Sequence, residues 1–263
     1  MDTTAIDLNE YCSSNERDYS DDKEVRMILL GGPAPAPVSM LRAAHAIRRK
    51  EGSAFLKLPV ENLRDTSTVN SVPEIGQIPG LVFKYFKIAA GCPLTGDEPV
   101  MIRVPGPFSA FMTAAGTNAT YRWMQKHGPE VKEAFAQIMD GLSEYCIEMA
   151  GLGARILSIA DPSAIADVLG EKKYREFAAE YTVRLVRQIL PHAGNSILHL
   201  CPRTSLLLEG YGYCRSRKLP VQSSDYASAL LNVHNVTKDR LIGHRCINAE
   251  KACCTFLTLL ELV

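Results

Sequence analysis

The chain has 263 residues, enough for one large domain with a sizeable core. Hydrophobic residues make up 46% and charged residues 22%, which excludes a disordered chain. The 29 Lys and Arg balance 29 Asp and Glu, so overall charge supports no general affinity for nucleic acid or anionic membrane, and no apolar run reaches the length of a membrane span.

Met1 to Glu24 is polar and acidic, and is expected to be a flexible tail rather than a secretory signal. Val25–Leu30 reads as a strand, and Ser39 to Lys50 as a helix with Met40, Leu41, Ala44 and Ile47 on one face. Ala54–Val60 is the next strand. Asn62 to Gly80, rich in Ser, Thr, Pro and Gly, reads as a long loop, and Leu81 to Ala90 as a helix. Val100–Val104 is a strand that breaks at Pro105-Gly106-Pro107. Helices are expected over Ser109 to Ala115 and Pro129 to Met149, the second with Val131, Phe135, Ile138, Leu142 and Tyr145 at helical spacing. Strand Arg155–Ala160 is followed by helices at Ala164 to Leu169 and Lys172 to Ile189. Strand Ser196–Leu200 precedes a helix at Thr204 to Cys214. A short strand at Val221–Ser223, a helical turn at Ser228 to Leu231 and strands at Arg240–Ile247 and Thr255–Leu262 complete the pattern.

About eight strands thus alternate with helices, which implies parallel pairing with right-handed crossovers. The expected fold class is α/β, a (β/α)8 barrel forming one domain over residues 25–263 behind the tail. An open doubly wound sheet is the alternative, but no Gly-rich phosphate turn supports it. Eight Cys at irregular spacing suit a reducing compartment, and a cytoplasmic location is expected.

In a parallel barrel the chemistry lies at the C-terminal ends of the strands. Here those ends carry Glu61, Asp161, Asp225, His199 with Cys201, and His244 with Cys246, whereas the strand bodies are apolar. Asp161 reads equally well as a helix cap. Residues i and i+2 on a strand share a face, so His199 and Cys201 point the same way. Imidazole nitrogen and thiolate sulfur are preferred zinc ligands, so this step supplies two ligands from one element. The competing reading makes Cys201 a small buried hydrophobe and His199 a hydrogen-bonded core residue. The second step, His244 and Cys246, offers Cys246 as a third ligand with His244 in reserve, ahead of Cys253 and Cys254.

The segment Arg155-Ile-Leu-Ser-Ile-Ala-Asp-Pro-Ser-Ala164, with Leu169-Gly170, Lys173-Tyr-Arg-Glu-Phe177 and Ile197-Leu-His-Leu-Cys201, resembles the uroporphyrinogen decarboxylase superfamily. The resemblance is to its zinc-dependent branch, the methylcobamide:coenzyme M methyltransferases. Val104-Pro-Gly-Pro-Phe108 and Leu241-Ile-Gly243 are similar to two further strands of that family, and the likeness runs from about Ala54 to Asn248. The Arg-rich N-terminal motif of the true decarboxylases has no counterpart here. The last strand, Thr255 to Val263, lacks the Cys that the methyltransferases use as third ligand, and Pro202 stands where Gly is usual.

What the resemblance implies is methyl transfer from a methylated corrinoid (methylcobamide), carried on a corrinoid protein, to a thiol such as coenzyme M. It implies Zn2+ held by His199, Cys201 and Cys246. Glu61, Asp161 and Asp225 then line the mouth, as a labile ligand or as support for His199. Two other readings stand beside it: a metal-free lyase using Asp161 and Asp225 as acid and base, and a degenerate barrel that binds a partner without catalysis.

Overall fold

The computed structural model describes residues 22–30, 36–58, 74–92, 94 and 98–263. Its strands are β1 (Leu56–Leu58), β2 (Val100–Pro105), β3 (Ile156–Ala160), β4 (Ile197–Leu200), β5 (Cys214–Ser223), β6 (Leu241–Gly243) and β7 (Cys254–Leu262). They form one sheet in the order β1-β2-β3-β4-β6-β7-β5. β1, β2, β3, β4 and β6 run parallel, whereas β7 pairs antiparallel with both β6 and β5. These are the repeating strand–helix units of a (β/α)8 barrel. Among the described residues the sheet stays open, because β5 and β7 form an antiparallel ribbon at its end.

The helices are α1 (Lys23–Leu30), α2 (Pro37–Glu51), α3 (Ile78–Ala90), α4 (Pro107–Ala115), α5 (Thr117–Lys126), α6 (Gly128–Gly151), α7 (Ala166–Leu169), α8 (Glu171–Tyr174), α9 (Glu180–Ile189), α10 (Pro202–Gly210) and α11 (Tyr226–Asn232). A π-helical turn, Arg175–Ala179, joins α8 to α9, so the expected helix over Lys172 to Ile189 is one continuous rod.

Strand alternation divides the interior in two. Leu56, Leu58, Val100, Ile102, Val104, Leu157, Ile159, Leu198, Leu200 and Leu241 face the outer helices. That layer centres on Phe135 of α6, whose ring lies 4.8 Å from Phe111 and 5.3 Å from Tyr181. The opposite residues, Phe55, Met101, Ile156, Ile197 and Ile242, pack with α11 and β7 through Tyr226, Leu230, Leu257 and Leu259. The inner face of the sheet is therefore covered by the chain's own last third. Each buried Leu, Ile or Phe in these layers contributes about 1.5–3 kcal/mol of transfer free energy.

Three expectations need correction. Val25–Leu30 is helix α1, not a strand: the Asp22 carboxylate accepts from the backbone N–H of Glu24 and Val25, and Val25 and Ile28 pack at helical spacing. The strand expected over Arg240–Ile247 stops at Gly243, because His244 takes a left-handed conformation with φ 62°. The expected helix over Thr204 to Cys214 ends at Gly210, and β5 begins at Cys214 as a ten-residue strand rather than at Val221. Helix α5 is an element that the sequence expectations do not include. Among the described residues no helix is long and apolar enough to cross a membrane.

Candidate functional site at the strand ends

Register alone builds the inner row. Arg103 of β2, Ser158 of β3, His199 of β4 and Ile242 of β6 lie side by side in consecutive strand pairs. Arg103, Ser158 and His199 each follow an apolar residue two places earlier, since Met101, Ile156 and Ile197 form the row below. The inner face thus turns from apolar to polar toward the C-terminal ends of the strands.

His199 is fully buried and both ring nitrogens are engaged. Its Nε2 lies 2.8 Å from the Arg245 carbonyl oxygen and its Nδ1 2.9 Å from Ser158 Oγ. A carbonyl oxygen only accepts, so Nε2 carries the proton and the Nδ1 lone pair accepts from the Ser158 hydroxyl. Burial pulls the imidazole down to about 4, which keeps the ring neutral near pH 7. Two strands along the row from His199, Arg103 Nη2 donates to Asn248 Oδ1 at 2.6 Å.

Cys201 ends β4, half-buried, and caps α10. Its N–H donates to the Ile159 carbonyl and its own carbonyl accepts from Ser205 N. Cys246 is buried and opens the 3-10 turn Ile247–Ala249, next to the residue that holds His199. His244, two residues before it, does not share its face. The left-handed turn sends the His244 ring toward α10, where Nε2 lies 3.2 Å from Glu209 Oε2. Burial pushes this imidazole down and the Glu209 carboxylate opposes the shift. The second His-x-Cys step is therefore not a strand pair, because β6 has ended before it. Cys253 is exposed, and buried Cys254 donates from Sγ to the Phe256 carbonyl.

Asp161 lies on the other side of the sheet. Its carboxylate accepts the Ser109 N–H at 2.7 Å and so caps the start of α4, with Thr182 Oγ1 at 3.4 Å. Burial pushes this carboxyl up, while the Ser109 and Phe108 N–H groups and two hydroxyls pull it back. Gly106 is required here, because a Cβ at that position would overlap the Asp161 carboxyl. Asp225 caps α11, accepting from Ser228 N at 2.8 Å and from the Ser224 and Ser228 hydroxyls, bonds that hold its carboxyl below the usual range. Each of the two carboxylates is thus engaged as a helix cap. Glu61 lies outside the described residues.

The donor set implied for Zn2+ does not fit this arrangement. Zinc takes a nitrogen lone pair, and that of His199 is committed to Ser158. Among the described residues no three His, Cys, Asp or Glu side chains converge as a metal-binding group. Both ring nitrogens of His199 are taken up by hydrogen bonds instead. A cleft of about 610 Å³ is lined by Trp123, Arg122, His127 and Glu130 of the α5–α6 region, and no strand residue reaches it.

Ser158, Arg245 and Asn248 were not singled out from the sequence. Strand alternation from Met101 and Ile156 places Arg103 and Ser158 on the inner face, but Arg245 and Asn248 lie beyond β6, outside any strand and without a periodic signal.

The chain has relatives among known proteins. The sequence profile of the uroporphyrinogen decarboxylase (URO-D) family matches residues 43–243, and the chain belongs to that family. It is 29% identical over 151 residues to a methylated-thiol–coenzyme M methyltransferase of Methanosarcina mazei, a match covering 56% of this chain. The match covers 39% of that protein, so the chain corresponds to less than half of the relative's length. A solved methyltransferase structure from Methanosarcina mazei aligns over 68% of this chain and 60% of its own, with 22% identity and a TM-score of 0.44.

Proposed function

We propose that the chain is a methyltransferase that moves a methyl group from a methylated corrinoid, carried by a partner protein, to a thiol such as coenzyme M. The observation that supports this reading is the polar row at the C-terminal ends of the inner face: Arg103, Ser158 and His199, with Cys201 one step beyond. Family membership and the activity named for the methanogen relative point the same way. In this reading residues 25–263 form the catalytic unit behind a tail over residues 1–24, working in the reducing cytoplasm that the cysteine usage suits.

In this reading Cys201 and Arg103 are the side chains that meet the acceptor. Ser158 and the Arg245 carbonyl are positioning groups that set the His199 tautomer. Zinc is the part of the family resemblance that this arrangement does not fit, so no step is drawn through it.

The test is methyl transfer by the purified full chain, with methylcobalamin as donor and 2-mercaptoethanesulfonate as acceptor, followed by loss of the donor's absorbance. The expected result is a rate proportional to protein and reduced at least tenfold in Cys201→Ala. A folded chain that leaves methylcobalamin untouched across a panel of thiols contradicts the proposal and favours the non-catalytic barrel.

A further inference from the structure

One segment crosses the inner face, and its contacts follow the sheet strand by strand. The Arg245 carbonyl accepts from His199 of β4 at 2.8 Å. Three residues on, Asn248 accepts from Arg103 of β2 at 2.6 Å. Two residues further, Glu250 reaches the start of β1. Its Oε2 accepts from Ser53 Oγ at 2.9 Å and Ala54 N at 3.1 Å, and its Oε1 lies 3.6 Å from Lys57 Nζ. Lys251 Nζ then donates to the Glu51 carbonyl at 3.1 Å. Residues 245–251 thus run across the inner face, from the C-terminal end of β4 to the N-terminal end of β1.

The run has no place in the strand ladder. One 3-10 turn, Ile247–Ala249, is its regular structure. Side-chain bonds fasten it to the strands. Two backbone bonds from the start of α11, Tyr226 N to Ala252 O and Ala227 N to Glu250 O, anchor its far end. Its near end is His244, a non-glycine residue at φ 62°, a conformation that costs free energy and persists only where the surroundings enforce it. Beneath it Ser158 is 5% and His199 0% exposed, so no ligand reaches them while the run is down. The hydroxyl of Tyr226, with the Arg245 guanidinium 4.9 Å from its ring, is buried without a hydrogen-bond partner among the described residues.

We propose that residues 245–251 are a strap that closes the inner face and lifts as a unit, hinged at His244, to expose Ser158, His199 and Cys246. The strap makes the site latent in the closed form. Lifting it removes the acceptor of His199 Nε2 and frees Arg103 from Asn248 in one movement. The inference rests on the reading that the inner face is the working site, but its test is independent of methyl transfer.

Cys246 rides on the strap and Cys146 sits in the helix layer, both buried. Alkylation of the native full chain with N-ethylmaleimide, resolved by peptide mass spectrometry, therefore separates strap opening from global unfolding. The expected result is faster modification of Cys246 than of Cys146. Asn248→Ala, which removes one charge-assisted bond, then speeds Cys246 by about tenfold and leaves Cys146 unchanged. Glu250→Gln, which keeps the side-chain shape, acts in the same direction. Equal rates at Cys246 and Cys146 in the wild-type chain overturn the proposal, and that comparison holds even where a variant fails to fold. A Cys246 rate that ignores both substitutions, or that rises only together with Cys146, overturns it as well.

Discussion

At the scale of the residue, His199 carries most of the argument. Its ring is neutral because burial opposes charge, and its two nitrogens take opposite hydrogen-bonding roles. The unfolded imidazole titrates near 6.5 and the folded one at about 4, so the unfolded state binds the extra proton first as pH falls. The stability that His199 contributes is fully present above about pH 6.5 and is lost as pH falls toward 4. Urea unfolding from pH 7.5 to 4 is expected to show a loss of about 3 kcal/mol from this group, absent in His199→Gln. A wild-type chain and variant with parallel pH profiles would contradict the assignment. The sequence made His199 visible, since its parity with Ile197 puts it on the inner face. It did not decide between ligand and strut, because that depends on Ser158 and on the Arg245 carbonyl, and a carbonyl has no sequence signature.

At the scale of the element, the polar strand ends divide into caps and inner-face groups. Asp161 and Asp225 stand just beyond strands, where catalytic carboxylates and helix caps look alike in sequence. Register separates them from the site: Asp161 has the parity of Ile159 and faces the helices, opposite to Ser158. Asp225 holds the N-terminus of α11 with two bonds from Ser228 and accepts a third from Ser224, and α11 covers the inner face. Asp225→Ala is therefore expected to lower stability by about 1 kcal/mol in urea unfolding, while Asp225→Asn, which still caps, stays near wild type. A methyl-transfer rate abolished by Asp225→Asn in a fully stable chain would return this carboxylate to the catalytic list. The misreading of Val25–Leu30 has the same kind of cause. A short apolar run is compatible with strand or helix, and the Asp22 cap with packing between α1 and α2 decides it.

At the scale of the whole molecule, the alternation of strand and helix was legible from Ala54 to Leu200, where each parallel strand is a short apolar run with a helix behind it. Legibility fades after Leu200. β5 is a ten-residue strand rich in Arg and Lys, exposed along most of its length, and its pairing with β7 is a long-range contact that no local period announces. That ribbon leaves the sheet open and turns the last third of the chain inward. The consequence is a sheet whose first strand is tied to its last third by polar side chains, Lys57 and Ser53 to Glu250, in place of strand-to-strand hydrogen bonds. The Lys57–Glu250 contact joins β1 to the strap at 3.6 Å, with Lys57 also 2.8 Å from Glu51, and its desolvation cost is only partly offset, which suits a contact made to open.

The account turns on the state of His199 in the folded chain. The most direct test is nitrogen-15 NMR of the His199 ring in the full protein at neutral pH, equilibrated with one equivalent of zinc under reducing conditions. The account predicts a neutral ring protonated at Nε2, with signals that zinc leaves unmoved. A ring nitrogen shifted to a metal-bound position, with one zinc per chain that Cys201→Ala releases, would contradict it and restore His199 and Cys201 as ligands.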